Sequence, residues 1–197
     1  MLELILSNLR VRPFRTMISV IGVALGVVLV ILFTGLARGM TDDMARRASN
    51  WKAEIVFSRP GAMELTSSNA SVDTAYAARL LEIEGVEATV PVYRHISPNP
   101  QRQWGIQHLD GVNWEDFAAM NDMRIVEGRA PQAVDEVILD ERQIVEDNVK
   151  VGEQIELFGG KIYKIVGVFA PPSGARIKMT LEAMQDAQER PDKCTLI

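Results

Sequence analysis

Residues 16–37 read TMISVIGVALGVVLVILFTGLA, and this uncharged stretch decides the architecture of the chain. A helix of this length measures about 33 Å at a rise of 1.5 Å per residue, which is enough to cross a hydrocarbon core of about 30 Å. The stretch is apolar on every face, whereas a helix that lies on a soluble core is apolar along one stripe. We therefore predict a transmembrane helix over residues 16–37.

Two other interpretations of this stretch compete with a permanent span. A cleavable signal peptide has a basic start, an apolar core and a cleavage site of small residues, for which Gly35-Leu36-Ala37 qualifies. Its apolar core normally has about 7–15 residues, fewer than are present, so a permanent span is favoured. A helix buried in a soluble protein is disfavoured, because so short a chain offers no second core to receive it.

The charges on either side of the span predict its orientation. Arg10, Arg12 and Arg15 precede it with Glu3 as the only acid, whereas residues 38–197 carry 18 Lys and Arg against 25 Asp and Glu. The positive-inside rule then places the N-terminus in the cytoplasm and residues 38–197 outside it. The overall charge of −5 argues against a chain that neutralises nucleic-acid phosphates, so no nucleic-acid partner is predicted.

Residues 1–15 form a separate region before the span. Apolar side chains recur there with helical spacing, at Leu2, Ile5, Leu6 and Leu9. This pattern predicts a short amphipathic helix on the cytoplasmic membrane face, with the three arginines among the lipid headgroups. Pro13 is expected to break or turn the chain between this helix and the span.

Two glycines lie one helical turn apart within the predicted span. Gly22 and Gly26 form a G-x-x-x-G pair. Small residues at this spacing let two membrane helices approach closely, where lipid offers no hydrophobic contrast. We predict that this face packs against a partner span.

Residues 38–197 mix helical and strand patterns irregularly, which predicts an α+β domain. The predicted elements are a helix over 41–51 with Thr41 as N-cap, a strand over 54–57, a helix from Asp73-Thr74 to Gly85, strands over 86–96 and 103–110, a helix over 113–120, a strand over 136–139, a helix after Asp140 to Asp147, a hairpin over 153–169 turning at Gly159-Gly160, a helix over 181–188 and a strand over 193–197. A strand at the very end has no following segment to pair with, so we predict that the native chain continues past Ile197.

No residue pattern in the chain indicates catalysis. His95 and His108 lie in strand patterns without a nucleophile or ligand at a suitable spacing, and G-x-S-x-G is absent. The adjacent acids Asp42-Asp43 and Asp135-Glu136 are typical of solvated or capping carboxylates. Cys194 is interpreted as a small buried hydrophobe. We therefore predict no enzymatic activity, no cofactor and no metal site.

The order of several short motifs resembles that of one protein family. The motifs are Asn8-Leu9-Arg10, Pro13, Arg15-Thr16 and Ile21 to Val27 around the span, then Gly85-Val86, Val90-Pro91, Glu127-Gly128-Arg129, Glu136 to Leu139, Val151 to Ile155 and Val166-Gly167-Val168. Together they resemble ABC transporter permeases of the macrolide-exporter and lipoprotein-release (FtsX-like) class, with their periplasmic core domain. The resemblance covers nearly the whole chain.

This resemblance implies a permease subunit of the bacterial cytoplasmic membrane. Because the chain has no G-x-x-x-x-G-K-S/T loop, ATP would be hydrolysed by a separate cytoplasmic ATPase, and a second permease copy or paralogue would complete the unit. Arg10, Arg12, Arg15 and the span would couple the ATPase to the external domain. The family has three further spans, so the chain is expected to be a fragment truncated inside its external domain.

A single-pass, membrane-anchored interaction module is the alternative function. In that case Trp104 and Trp114 could form an external docking surface, although tryptophans more often belong to a core. Further apolar spans beyond Ile197 in the native reading frame would favour the permease.

Overall fold

The computed structural model describes residues 13–59, 71–100 and 105–197. It divides into two compact units, Met1–Ala45 and Arg46–Ile197, which are described separately. The amphipathic helix predicted over residues 2–10, together with Arg10 and Arg12, lies outside the described residues, as does Trp104.

The first unit is dominated by one helix, α1, over Pro13–Ser49, whose last residues extend into the second unit. None of its 37 residues is buried. Among the described residues it alone is long and apolar enough to cross a membrane. The prediction of a new helix capped by Thr41 is wrong, because α1 continues without a break and the Thr41 hydroxyl donates to the Ala37 carbonyl oxygen at 2.9 Å.

The second unit contains nine strands and four α-helices among the described residues. They are β1 Val72–Asp73, α2 Ala75–Leu80, β2 Val92–Pro98, β3 Ile106–Val112, α3 Trp114–Asn121, β4 Arg124–Gly128, β5 Glu136–Asp140, α4 Glu141–Asp147, β6 Gln154–Glu156, a 3₁₀ turn Phe158–Gly160, β7 Ile162–Ala170, β8 Ile177–Thr180, α5 Leu181–Ala187 and β9 Lys193–Cys194.

Seven of these strands form one mixed sheet, which confirms the α+β prediction. The order is β2-β3-β8-β5-β7-β4, and β6 pairs with the first residues of β7. Two pairs are parallel, β3 with β8 and β5 with β7, and the others are antiparallel. The mixture explains why strands and helices follow each other irregularly along the chain, since parallel neighbours need long crossover connections.

The sheet separates two apolar cores. Val137 and Leu139 of β5 face a core that includes Met184 of α5, whereas Ile138 faces a core that includes Phe117 of α3. Successive side chains of a strand point to opposite faces, so all five residues of β5 are buried although their faces differ. One face of the sheet is therefore covered by α5 together with Ile144 of α4, and the other face by α3.

Local capping and turn signals predict several element ends well. Asp140 caps α4 through a side-chain oxygen, as predicted. The helix predicted over 113–120 is present as α3, and the Asn113 side chain caps it. Gly159 and Gly160 adopt the predicted positive φ, but the connection between β6 and β7 is longer than the predicted two-residue turn. The helix expected from Asp73 to Gly85 covers only Ala75–Leu80.

The C-terminal residues find partners from distant parts of the chain. β9 pairs antiparallel with β1, and Leu196 forms a bridge with Val92. Backbone hydrogen bonds of 2.8 and 2.9 Å join Phe57 and Ile197 in both directions. The expectation that this last strand has nothing to pair with is therefore wrong, since its partners precede it in sequence.

Candidate functional site

The span presents a bare apolar surface within its own unit. Residues Met17 to Leu36 expose their large apolar side chains, as expected of a surface that meets lipid or another span. A Cβ atom built on Gly22 or Gly26 would meet nothing within 4 Å. Arg15 is exposed near the start of the helix, and its carbonyl oxygen accepts from the Ser19 hydroxyl at 3.0 Å. Span packing at the glycines and coupling at the arginines stay predictions.

The second unit holds a buried ionic cluster that the sequence patterns did not indicate. Asp110 of β3 is fully buried. Its carboxylate accepts from Arg94 Nε at 2.8 Å and Nη2 at 3.1 Å, from the Ala175 backbone N–H at 2.9 Å and from Lys178 Nζ at 3.4 Å. Burial alone would raise the pKa of Asp110, but the charges of Arg94 and Lys178 and these hydrogen bonds hold it well below its ordinary value. These contacts therefore favour the charged form of Asp110 inside the domain.

Lys178 is the buried cation of this cluster. Its Nζ donates to the carbonyl oxygens of Ser173 at 3.0 Å and Ala175 at 3.2 Å, and it lies 4.5 Å from the ring centre of Phe117. Burial lowers the pKa of Lys178 to about 8, although the charge of Asp110 opposes that shift. The ammonium group is thus fully enclosed and depends on Asp110 for its charge balance.

A second buried carboxylate, Asp140, lies at the junction of β5 and α4. One of its oxygens accepts from the Gln143 N–H at 2.7 Å and caps α4, and the other accepts from Arg47 Nη2 at 2.9 Å. Arg47 Nη1 also donates to the Gly174 carbonyl oxygen at 3.4 Å. Arg47 belongs to the last turn of α1, which is counted with the second unit.

Three further contacts follow Arg47 along the chain. Asn50 Nδ2 donates to the Pro172 carbonyl oxygen at 2.7 Å, and the Lys52 backbone N–H donates to Asn121 Oδ1 at 3.1 Å. The guanidinium of Arg94 lies 4.8 Å from the ring centre of Trp51. The segment after α1 therefore contacts the β7–β8 loop, α3 and β2.

Three of the motifs that carried the family resemblance meet at one place. Gly128 pairs with Gly167 across β4 and β7, so closely that a Cβ atom on Gly128 would lie 2.2 Å from a backbone oxygen of β7. The next residue, Arg129, binds the Glu136 carboxylate with both terminal nitrogens. The hydrogen bonds from Arg129 lower the pKa of Glu136 to about 2. These three motifs therefore hold the β4–β5 loop against the sheet through one ion pair and one close backbone contact.

The polar residues considered for catalysis are dispersed. The His95 ring lies 4.9 Å from that of Phe158, and burial lowers the pKa of both histidines. Cys194 is buried, as predicted, and burial raises its pKa to about 12. Trp114 packs its ring 5.8 Å from Phe169 against the core. Among the described residues no group of three possible ligands could hold a metal ion.

The clustered charges were missed because they are far apart in sequence. Arg47 and Asp140 are 93 positions apart, and Asp110 and Lys178 are 68 apart. The available signal was a charged residue inside each of two short apolar strands, in IQHLDGV and IKMT. Buried charges are usually paired, so such strands point to partners without identifying them.

Comparison with known proteins identifies a family whose model spans residues of both units, and several relatives. The family described as MacB-like periplasmic core domain matches residues 16–193. The macrolide export ATP-binding/permease protein MacB of Rhodospirillum rubrum is 27% identical over 132 residues, which are 65% of this chain and 20% of that protein. The protein of the same description from Marinobacter nauticus is 30% identical over 87 residues, covering 43% of this chain and 14% of that protein. The chain thus spans about a fifth or less of these relatives' lengths.

Solved structures share the fold. The periplasmic region of MacB from Actinobacillus actinomycetemcomitans has a TM-score of 0.55 at 13% identity, covering 72% of this chain and 70% of that one. The extracellular domain of the ABC-type transporter YknZ from Gram-positive bacteria has a TM-score of 0.53 at 15% identity, covering 72% of this chain and 79% of that one. At these identities the likeness concerns the fold alone.

Proposed function

The chain belongs to the family of MacB-like periplasmic core domains, and from this premise we propose that it acts as the permease part of an ABC transporter. In this proposal a separate cytoplasmic ATPase hydrolyses ATP, and the span passes the resulting movement to the extracytoplasmic domain. That movement serves export of a substrate or release of a lipoprotein or lipid. The chain itself contributes no catalytic step.

One observation carries the proposal. The family match runs through residues 16–193, so it includes the apolar helix and the sheet domain in one continuous alignment. The names of the relatives combine an ATP-binding and a permease function in one protein, which supports coupling of this kind of domain to an ATP-binding module.

The proposal assigns mechanical roles to the N-terminal residues. Arg10, Arg12 and Arg15 anchor the cytoplasmic edge of the span, and Gly22 and Gly26 form the face that packs against a second permease copy or paralogue. The N-terminus is cytoplasmic and residues 38–197 lie outside the bacterial inner membrane.

A reconstitution experiment tests the proposed coupling. The chain, in its native reading-frame context, is placed in liposomes with the ABC ATPase encoded beside it, and ATP hydrolysis is measured with and without the chain. Binding of the ATPase and a severalfold change in its rate are expected. Failure of the two proteins to bind, with no further spans encoded, would instead support the anchored interaction module.

Orientation is tested with the three arginines. Changing Arg10, Arg12 and Arg15 together to Glu should invert or abolish insertion, whereas changing them to Lys should not, since the positive-inside rule depends on charge. Protease protection of residues 38–197 in vesicles is the measurement. Unchanged protection in the Glu variant would contradict the assigned role.

A further inference from the structure

We propose that residues 47–52, named here the clamp, fix the end of α1 rigidly to the sheet, with the Arg47–Asp140 ion pair as their central contact. The use of the clamp, which is to transmit movement of the span to the domain, rests on the function proposed above. The geometry of the clamp does not rest on that function, because every contact in it lies within residues 46–197.

The ion pair is the contact that a small displacement would break. Arg47 Nη2 and Asp140 Oδ2 are 2.9 Å apart, the Asp140 side chain is fully buried, and that of Arg47 is only 14% exposed. The second oxygen of Asp140 is used in capping α4. A guanidinium that moved away would leave a buried carboxylate without its hydrogen-bonded cation, which is a costly state in a protein interior. The pair therefore favours one position of the last turn of α1.

The other contacts of the clamp point in different directions. Arg47 and Asn50 both donate to carbonyl oxygens of the β7–β8 loop, at Gly174 and Pro172. Lys52 binds the end of α3 through Asn121, a residue that is itself buried. Contacts to several separate elements restrict rotation as well as sliding, which a single ion pair does not.

The clamp also reaches the buried ionic cluster. Trp51 lies beneath the guanidinium of Arg94, and Arg94 binds Asp110 at 2.8 Å. Asp110 in turn binds the Ala175 N–H and contacts Lys178 of β8. A displacement of the clamp is thus opposed by strands β2, β3 and β8 together, through groups whose charges are mostly shielded from solvent.

The neighbouring Arg46 provides a matched control. It has the same charge and lies in the same helical turn, but its side chain is exposed. Changing Arg46 or Arg47 to Met removes one positive charge from adjacent positions, so the two variants differ in the loss of the Arg47 side-chain contacts to Asp140 and to the Gly174 carbonyl oxygen.

Spin-label distances in the full chain, reconstituted in lipid nanodiscs, test the proposal. One label is attached at Ala48→Cys and the other at Ile162→Cys, a position 61% exposed at the start of β7. Asn50, two residues after Ala48, contacts Pro172 just beyond the end of β7, and Ile162 lies eight residues or about 26 Å from that end. The two labels are therefore separated by a distance of the size that pulsed electron resonance measures. Cys194 is buried and stays unlabelled, which labelling of the chain without added cysteines checks.

We expect a single narrow distance distribution in the labelled parent chain and in Arg46→Met. Arg47→Met should widen it at least twofold. In Arg47→Met/Asp140→Asn the unpaired buried charge is removed while Asn still caps α4, so the urea midpoint should return toward that of the parent and the distribution should stay wide. Recovery of stability without recovery of width separates positioning from a merely structural role.

Three results would overturn the proposal. The first is a distance distribution in Arg47→Met as narrow as that of the parent, and the second is equal widening in Arg46→Met. The third is a distribution of parental width in the double variant, which gives the decisive result if Arg47→Met alone does not fold. A negative ATPase experiment leaves these distance measurements intact and removes only the mechanical use of the clamp, so the two failures are distinguishable.

Discussion

Replacing Asp110 by Asn gives the sharpest stability test of the buried ionic cluster. The two side chains have nearly the same shape, so the substitution removes a charge and leaves the packing intact. The amide oxygen of the new side chain can still accept from the Ala175 N–H, which is 2.9 Å from the carboxylate in the native chain. Lys178 and Arg94 both lose their anionic partner, and Lys178 has no exposure to solvent that could replace it.

The structure sets the size of the loss. Removing one partner of a buried ion pair costs about 3–5 kcal/mol. Lys178 can escape by releasing its proton, and from its ordinary pKa of 10.5 to pH 7 that release costs about 5 kcal/mol at 1.36 kcal/mol per unit. We therefore expect Asp110→Asn to lower the free energy of unfolding by about 3–5 kcal/mol at pH 7.

A second substitution should offset this loss. Lys178→Met replaces the ammonium by a thioether between Phe117 and Phe169, where sulfur packs favourably against rings. Asp110 keeps the two hydrogen bonds of Arg94, so Lys178→Met alone should change stability by about 1 kcal/mol or less. The double variant should be more stable than Asp110→Asn, with a coupling energy of about 2 kcal/mol or more.

Urea unfolding of the full chain in detergent micelles, followed by tryptophan fluorescence, measures these quantities. Asp116→Asn is the matched control, because Asp116 is exposed in the first turn of α3 and its loss should cost about 0.5 kcal/mol or less. A loss below about 1 kcal/mol in Asp110→Asn, or strict additivity in the double variant, would refute the electrostatic reasoning.

Two further predictions concern backbone geometry and pH. Gly128→Ala should destabilise the chain by more than about 2 kcal/mol, because the new Cβ would lie 2.2 Å from a backbone oxygen at a φ of +74°. Gly152→Ala, at a φ of +96° with nothing within 4 Å, should cost about 1 kcal/mol from backbone strain alone. Similar urea midpoints for the two variants would contradict this reasoning. The pKa values of Asp110 and Glu136 are lowered on folding, so the unfolded chain binds more protons in acid. The free energy of unfolding should therefore fall as the pH drops from about 4.5 towards 2, and it should fall less steeply in Glu136→Gln. An unchanged slope in that variant would argue against the Arg129 contact.

The elements that the sequence predicted well are those specified by neighbouring residues. Asn113 and Asp140 cap helices whose first N–H groups are two or three residues away, and Gly159 and Gly160 supply a local turn. The incorrect break at Thr41 has a local cause as well. A threonine within a helix satisfies its hydroxyl with the preceding turn, so its presence alone does not start a helix.

Pairing between distant segments could not be predicted in the same way. A strand pattern indicates that a segment needs a partner, and says nothing of which segment that is. Only the structure pairs Phe57 with Ile197 and β1 with β9, and only it brings Arg129 against Glu136 with Gly128 tight on β7. The family resemblance recognised those motifs without indicating that they form one contact.

By itself the sequence determined the long apolar helix and the α+β class of the domain that follows. Both depend on the order of apolar, polar and charged residues along the chain, which is read without knowing how distant segments pack. The tertiary structure decided where charge is buried. Arg47 and Asp140, and Asp110 and Lys178, occupy ordinary sequence positions and become partners only when the sheet brings their strands together. A charge inside a protein is stable only beside its counter-charge, and that proximity is a property of the fold.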